Sequence, residues 1–171
     1  VMAGTESGNR MNLETFVQRS YMEKILCDAN RRFRDMSNGQ FELKLINVED
    51  AGEGKNKGLD LEVYSIVTGK TRSVNTLSGG ESFMAALSLA LGMADQIQAA
   101  TAAIHLDVMF IDEGFGSLSD NARNEAVNIL KEMAGKQRQI GIISHVSELK
   151  DEIENQLIVK KDDRGSHISW R

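Results

Sequence analysis

Two carboxylates, Asp112 and Glu113, end the apolar run Val108-Met109-Phe110-Ile111. The run reads as a short buried strand. In open α/β sheets ligands sit beyond the carboxyl ends of the strands, so these paired acids are aimed where a nucleotide would lie. Two acids capping a following turn would leave the same string. Upstream, Thr76-Leu77-Ser78-Gly79-Gly80-Glu81 opens an apolar helical run. Adjacent glycines let the backbone approach a ligand closely, and a helix starting there aims unpaired N–H groups and its positive dipole end at an anion. That suits a phosphate; a plain helix cap is the competing reading. Downstream, the apolar segment from Gln139 to Ile143 stops at Ser144-His145. In a parallel sheet its end lies beside the first strand's, where histidine supplies a donor for a terminal phosphate near neutral pH. A surface-loop histidine is the alternative.

These groups need a sheet to carry them and helices to join its strands. Leu13, Phe16, Val17, Tyr21, Ile25, Ala29 and Phe33 recur at helical spacing and predict a long amphipathic helix over residues 11–36, with Cys27 packed within it. Residues 1–10 are Gly/Ser-rich and polar and read as a linker or junction. Residues 37–171 then form one α/β lobe. Within it Phe41 to Val48 and Leu59 to Val67 alternate apolar with polar and predict an antiparallel pair around the solvated loop Gly52 to Gly58. Glu81 to about Ile97 is apolar nearly all round, which predicts a helix buried within the lobe. Asp120 to Ala134 predicts another helix, capped near Ser119 and stopped at Gly135, and Ser147 to Ile153 a shorter one. Leu157 to Lys161 and His167 to Trp170, joined through Asp162-Asp163-Arg164-Gly165, predict a closing hairpin. His105, His167 and Trp170 read as structural.

In chain order, the Ser78-Gly79-Gly80-Glu81 string, the Asp112-Glu113 pair, the turn Gly114 to Asp120 and Ser144-His145 resemble the signature loop, Walker B, D-loop and H-loop of ABC-type ATPases. The strings Leu77 to Phe83, Asp112 to Leu118 and Ile143 to Val146 resemble the bacterial SbcC family. That family shares with SMC proteins a head domain split in two by a long antiparallel coiled coil. The resemblance runs from about Leu13 to the C-terminus. It implies the C-terminal lobe of an ABC-type ATPase head, with a central, largely parallel sheet flanked by helices and the first helix as the foot of the coiled coil. An ordinary helix packed on the head fits that pattern equally.

The resemblance also implies the chemistry. ATP and Mg²⁺ are the expected cofactors, with Asp112 holding the metal through water, since this hard cation keeps much of its hydration. Glu113 orients and deprotonates the attacking water, and His145 contacts the γ-phosphate. Ser78, Gly79, Gly80 and Glu81, with Ser117 and Leu118 of the D-loop, form the nucleotide-binding set, Ser78 and the glycine amides reaching the nucleotide of a second head. The family usually has aspartate where Ser119 stands, followed here by Asp120, so either residue is open as the one signalling between heads. Implied partners are an N-terminal lobe carrying Walker A, a second head, an SbcD-like metallo-nuclease and double-stranded DNA ends, with no membrane.

No Gly-x-x-x-x-Gly-Lys-Ser/Thr string occurs, so the expected phosphate cradle lies outside this chain, and the chain alone is expected to be nearly inactive. With 171 residues and 41% hydrophobic content, one core is expected and hardly two. A lone cysteine excludes an internal disulfide, and no run of eighteen apolar residues or signal-peptide pattern is seen, so a cytoplasmic location is expected. The net charge of −5 advertises no general grip on DNA, which leaves Arg31, Arg32 and Arg34, or Lys55 and Lys57, as solvated faces or local phosphate contacts. Two rivals remain. A chromosome-organising SMC head generally carries Glu-Val-Asp-Ala-like residues where this chain has Gly114-Phe115-Gly116. A transporter motor usually has proline after the glutamate, and this chain has none.

Overall fold

The computed structural model describes residues 13–47, 59–100, 106–134 and 138–171. The expected linker at 1–10, the loop Gly52 to Gly58, His105 and the helix stop at Gly135 lie outside them.

The first helix, α1 (Leu13–Met36), divides its apolar stripe in two. Leu26, Ala29, Phe33 and Met36 are buried, whereas Leu13, Phe16, Val17 and Tyr21 are exposed. Cys27, expected to be packed, faces outward because it lies off that stripe. The helix ends through Asn38 and Gly39 in left-handed conformations (φ 52° and 73°), with the Gly39 N–H donating to the Arg34 carbonyl at 2.7 Å.

Strands β1 (Phe41–Leu45), β2 (Leu61–Ser65) and β3 (Lys70–Ser73) form an antiparallel sheet in that order. Phe41, Leu43 and Val63 point inward, with Phe41 stacked on Phe33 of α1 at 6.1 Å between ring centroids. Asn30 acts as an extra strand on the outer edge of β1. Its Nδ2 donates to the Leu43 carbonyl at 2.8 Å, and its Oδ1 accepts from the Leu43 N–H at 2.7 Å.

Helix α2 (Gly79–Ala100) crosses α1 at Gly92, where a Cβ would lie 2.7 Å from the Ile25 carbonyl oxygen. The helices therefore meet backbone to backbone. The sequence predicted α2 buried all round, and this is corrected. Met84, Leu87, Ser88 and Leu91 face the core, but Ala86, Ala90, Met93 and Ile97 line an exposed stripe. Small apolar residues on both faces hide the polarity that normally marks the solvent side. By length and mean hydropathy (1.2) α2 would suffice to cross a membrane, yet its buried face packs on α1 as a core helix does. Asp95 receives two guanidiniums, Arg32 Nη2 at 2.5 Å and Arg138 Nη1 at 3.0 Å. Arg32 is buried there, and Arg34 pairs with Glu42 at 2.6 Å, so neither belongs to a free basic patch.

Strand β4 (Val108–Asp112) pairs in parallel with β5 (Gln139–Ile143), and α3 (Asp120–Ala134) lies between them in sequence. This is the parallel part of the fold among the described residues. One apolar face is open: Val108, Phe110 and Ile143 are exposed, with the Phe110 ring lying over Gly141. A short α4 (Leu149–Glu152) leads to the hairpin of β6 (Leu157–Asp162) and β7 (Gly165–Trp170). Cross-strand pairs Leu157–Trp170 and Val159–Ile168 share one face, and all four side chains are exposed. The main core gathers Phe33, Val63, Leu91, Phe115, Val127 and Leu130 from α1, the first sheet, α2, the turn after β4, and α3.

Candidate functional site

The ladder of β4 and β5 ends with Asp112 opposite Ile143, and one further bond joins the Glu113 N–H to the Ile143 carbonyl at 2.9 Å. Beyond it the chain turns sharply. Glu113 and Gly114 both adopt positive φ, 58° and 92°. For a glutamate this conformation costs about 1–3 kcal/mol, and such strain clusters at functional sites. The turn throws the Glu113 carboxylate across to β5, where its Oε2 lies 2.9 Å from His145 Nδ1, both side chains exposed. Asp112, the last residue of β4 and next to Glu113 in the chain, is also exposed.

Gly114 has no room for a side chain, because a Cβ there would overlap the Phe83 ring of α2. Phe83 also packs edge-on against Phe115 at 5.0 Å. The turn closes when Ser117 Oγ donates to the Gly114 carbonyl at 2.7 Å. Ser117 stands at the surface, whereas Leu118 is 7% exposed and anchors the turn in the core. Ser119 Oγ accepts from the Ala122 N–H at 3.4 Å as the N-cap of α3. Asp120 projects outward and pairs with Arg123.

At the start of α2 Ser78 and Glu81 form a reciprocal capping box. Glu81 Oε2 accepts from the Ser78 N–H at 2.8 Å and Ser78 Oγ accepts from the Glu81 N–H at 3.3 Å. The cap reading is thus realised. Desolvation pushes the Glu81 pKa up, but hydrogen bonds from the Ser78 N–H and Arg72, with the Ser78 hydroxyl and the Arg72 charge, outweigh it and hold the carboxyl below its ordinary range. Gly80 lies directly on the Ser117 carbonyl, so the turn after β4 and the start of α2 are one packed unit.

Sequence reasoning missed two supporting residues. Phe83 lay inside a recognised string without an assigned role. Arg72 sits in a polar stretch that gives no signal of its contacts to Thr76 and Glu81.

Comparison with known proteins places this arrangement. The fold matches that of the Smc head domain of Pyrococcus furiosus, determined with an extended coiled coil and bound to the C-terminal domain of ScpA. The TM-score is 0.66 at 22% identity, over 92% of this chain and 37% of that one. It also matches a structure from work on ATP-driven dimerization and DNA-stimulated activation of SMC ATPases, with a TM-score of 0.69 at 20% identity over 92% of this chain and 89% of that one. The fold is that of a lobe of an SMC head domain. Residues 56–132 match the family model described as SbcC/RAD50-like, Walker B motif. The chain is 45% identical over 168 residues to the SbcC subunit of the SbcCD nuclease of Vibrio cholerae, covering 98% of this chain and 16% of that protein. It is 41% identical over 165 residues to the SbcC subunit of Lactococcus lactis, covering 94% of this chain and 15% of that protein. The chain belongs to the SbcC family and spans about a sixth of the length of these relatives.

Proposed function

We propose that this chain is the C-terminal half of a composite head that binds and hydrolyses ATP between two copies, and so controls processing of DNA ends by a partner nuclease. The observation that carries this reading is the Glu113–His145 contact of 2.9 Å at the end of the parallel pair, with Asp112 beside it. An SMC tether fits the fold equally; the identity to the SbcC subunits of SbcCD nucleases favours the nuclease-linked reading.

The residues present fit a magnesium nucleotide. Asp112 offers one exposed carboxylate oxygen ligand, the donor type that a cation retaining much of its water takes. The metal would neutralise phosphate charge. Glu113 takes a proton from the attacking water, and His145 donates to the terminal phosphate. Ser78 and the Gly79 and Gly80 amides meet the nucleotide of the second copy. Phosphoryl transfer depends on positioning and charge stabilisation, so dividing these groups between copies makes hydrolysis conditional on closure. Asp120, outward-facing, suits signalling between copies better than Ser119, which caps α3.

The open apolar faces support further partners. Val108, Phe110 and Ile143 suit cover by a lobe carrying Walker A, and the exposed first turns of α1 suit the coiled coil. An SbcD-like metallo-nuclease and double-stranded DNA ends complete the assembly, working in the cytoplasm. The test is Glu113→Gln in the full-length protein. ATP binding is expected to persist while turnover falls by about a hundred- to ten-thousand-fold, the usual contribution of a general base. An unchanged rate rejects the assignment.

A further inference from the structure

Arg72, on β3, belongs to none of the motifs assigned above. Its Nη1 donates to the Thr76 carbonyl at 2.6 Å and to Thr76 Oγ1 at 3.1 Å, while Nη2 donates to Glu81 Oε2 at 3.3 Å. The guanidinium also lies 5.4 Å from the Phe41 ring centroid, which limits its orientation. One planar, permanently charged fork thus holds both ends of the segment that contains Ser78, Gly79 and Gly80. The same segment carries an awkward charge. Glu81 is an acid in the first turn of α2, where an incoming phosphate would also bind, and like charges at that range repel.

We propose that Arg72 is a positioning residue for the signature loop, neutralising Glu81 and keeping it turned back onto the Ser78 N–H. The Ser78 hydroxyl and glycine amides then meet the terminal phosphate of the second copy's nucleotide without a competing anion. This rests on the function proposed above. A side chain that merely pins β3 to α2 would make the same contacts, but it would not depend on the charge of Glu81. Glutamine at that position still completes the capping box and carries no charge. Once the carboxylate is gone, a neutralising arginine is no longer needed.

The test uses full-length protein with Arg72→Ala, Arg72→Lys, Ser78→Arg and the double variant Arg72→Ala/Glu81→Gln. Binding of a fluorescent ATP analogue, ATP-induced association of two copies, turnover and thermal melting are measured for each. Arg72→Ala is expected to bind nucleotide like the parent and to lose about ten- to a hundredfold in turnover, the rate equivalent of one charge-assisted hydrogen bond. The double variant should turn over faster than Arg72→Ala, whatever Glu81 itself contributes to the nucleotide site. Arg72→Lys should recover less, since an ammonium cannot hold Thr76 and Glu81 together. Turnover by Arg72→Ala within about twofold of the parent, or a double variant no faster than Arg72→Ala, overturns the proposal; the twofold margin is well under the effect of one such bond. Full turnover by Ser78→Arg removes instead the underlying reading of the loop, whatever Arg72 does.

Discussion

The carbonyl oxygen of Ser117 lies 2.6 Å from the point that a Cβ on Gly80 would occupy. The start of α2 and the turn after β4 therefore meet backbone to backbone at this point, and Ser117 is in turn bonded to Gly114, next to Glu113.

Gly80→Ala must push that turn away and disturb Glu113. At least a tenfold loss of ATP turnover by the full-length protein is expected, with helix content by circular dichroism retained, since about 1.4 kcal/mol of misplacement suffices. Gly79→Ala is the comparison. Its Cβ would meet only the Ser117 Cβ, at an ordinary 3.7 Å, so its loss should be clearly smaller.

Gly92→Ala sets two effects against each other. Alanine favours a helix by about 1 kcal/mol over glycine. Against this, the new methyl would lie 2.7 Å from the Ile25 carbonyl and 3.0 Å from the Ala29 nitrogen, both backbone atoms that cannot swing aside. Overpacking of this kind costs about 1–3 kcal/mol, so net destabilisation is expected in urea unfolding. A gain in stability would show that α1 moves freely over α2.

Ser88 is fully buried on α2, and its hydroxyl has no hydrogen-bond partner among the described residues. Ser88→Ala removes an unpaired polar atom and leaves little void. A gain of about 1 kcal/mol in unfolding free energy is expected, and a loss would mean that the hydroxyl is satisfied in solution.

Glu81 makes the α2 cap sensitive to acid. Its carboxyl is held below the ordinary glutamate range, so the stabilisation is fully present above that range and fades as pH falls through the folded-state value. Melting temperatures of the parent and Glu81→Gln should differ most near neutral pH and converge on acidification. A difference that grows in acid would contradict the direction of the shift.

The site was more legible than its supports. An apolar strand broken by Asp112 and Glu113 announces itself because two acids interrupt an apolar run, although the expected burial of that strand is not met, with Val108 and Phe110 exposed; Ser144-His145 repeats the pattern one strand away. The α3 span was readable from the Ser119 cap and its apolar period. Strand β3, Lys70–Ser73, went unpredicted because a polar edge strand has no buried alternation to betray it. The solvent face of α2 was hidden by Ala86 and Ala90, which look the same buried or exposed. The positive φ of Glu113 also leaves no trace in composition, since glutamate rarely adopts it.

The Asn30 amide on β1 has an effect beyond docking a helix. With Ser37 Oγ accepting from the Phe41 N–H at 3.3 Å and Arg19 donating to the Ile46 carbonyl at 2.9 Å, side chains of α1 and its end seal that border of the sheet. The opposite border is a four-residue strand bearing Lys70 and Arg72. Among the described residues, this antiparallel sheet thus offers stray polypeptides no long, uncharged border to zip onto, which limits strand addition at that sheet.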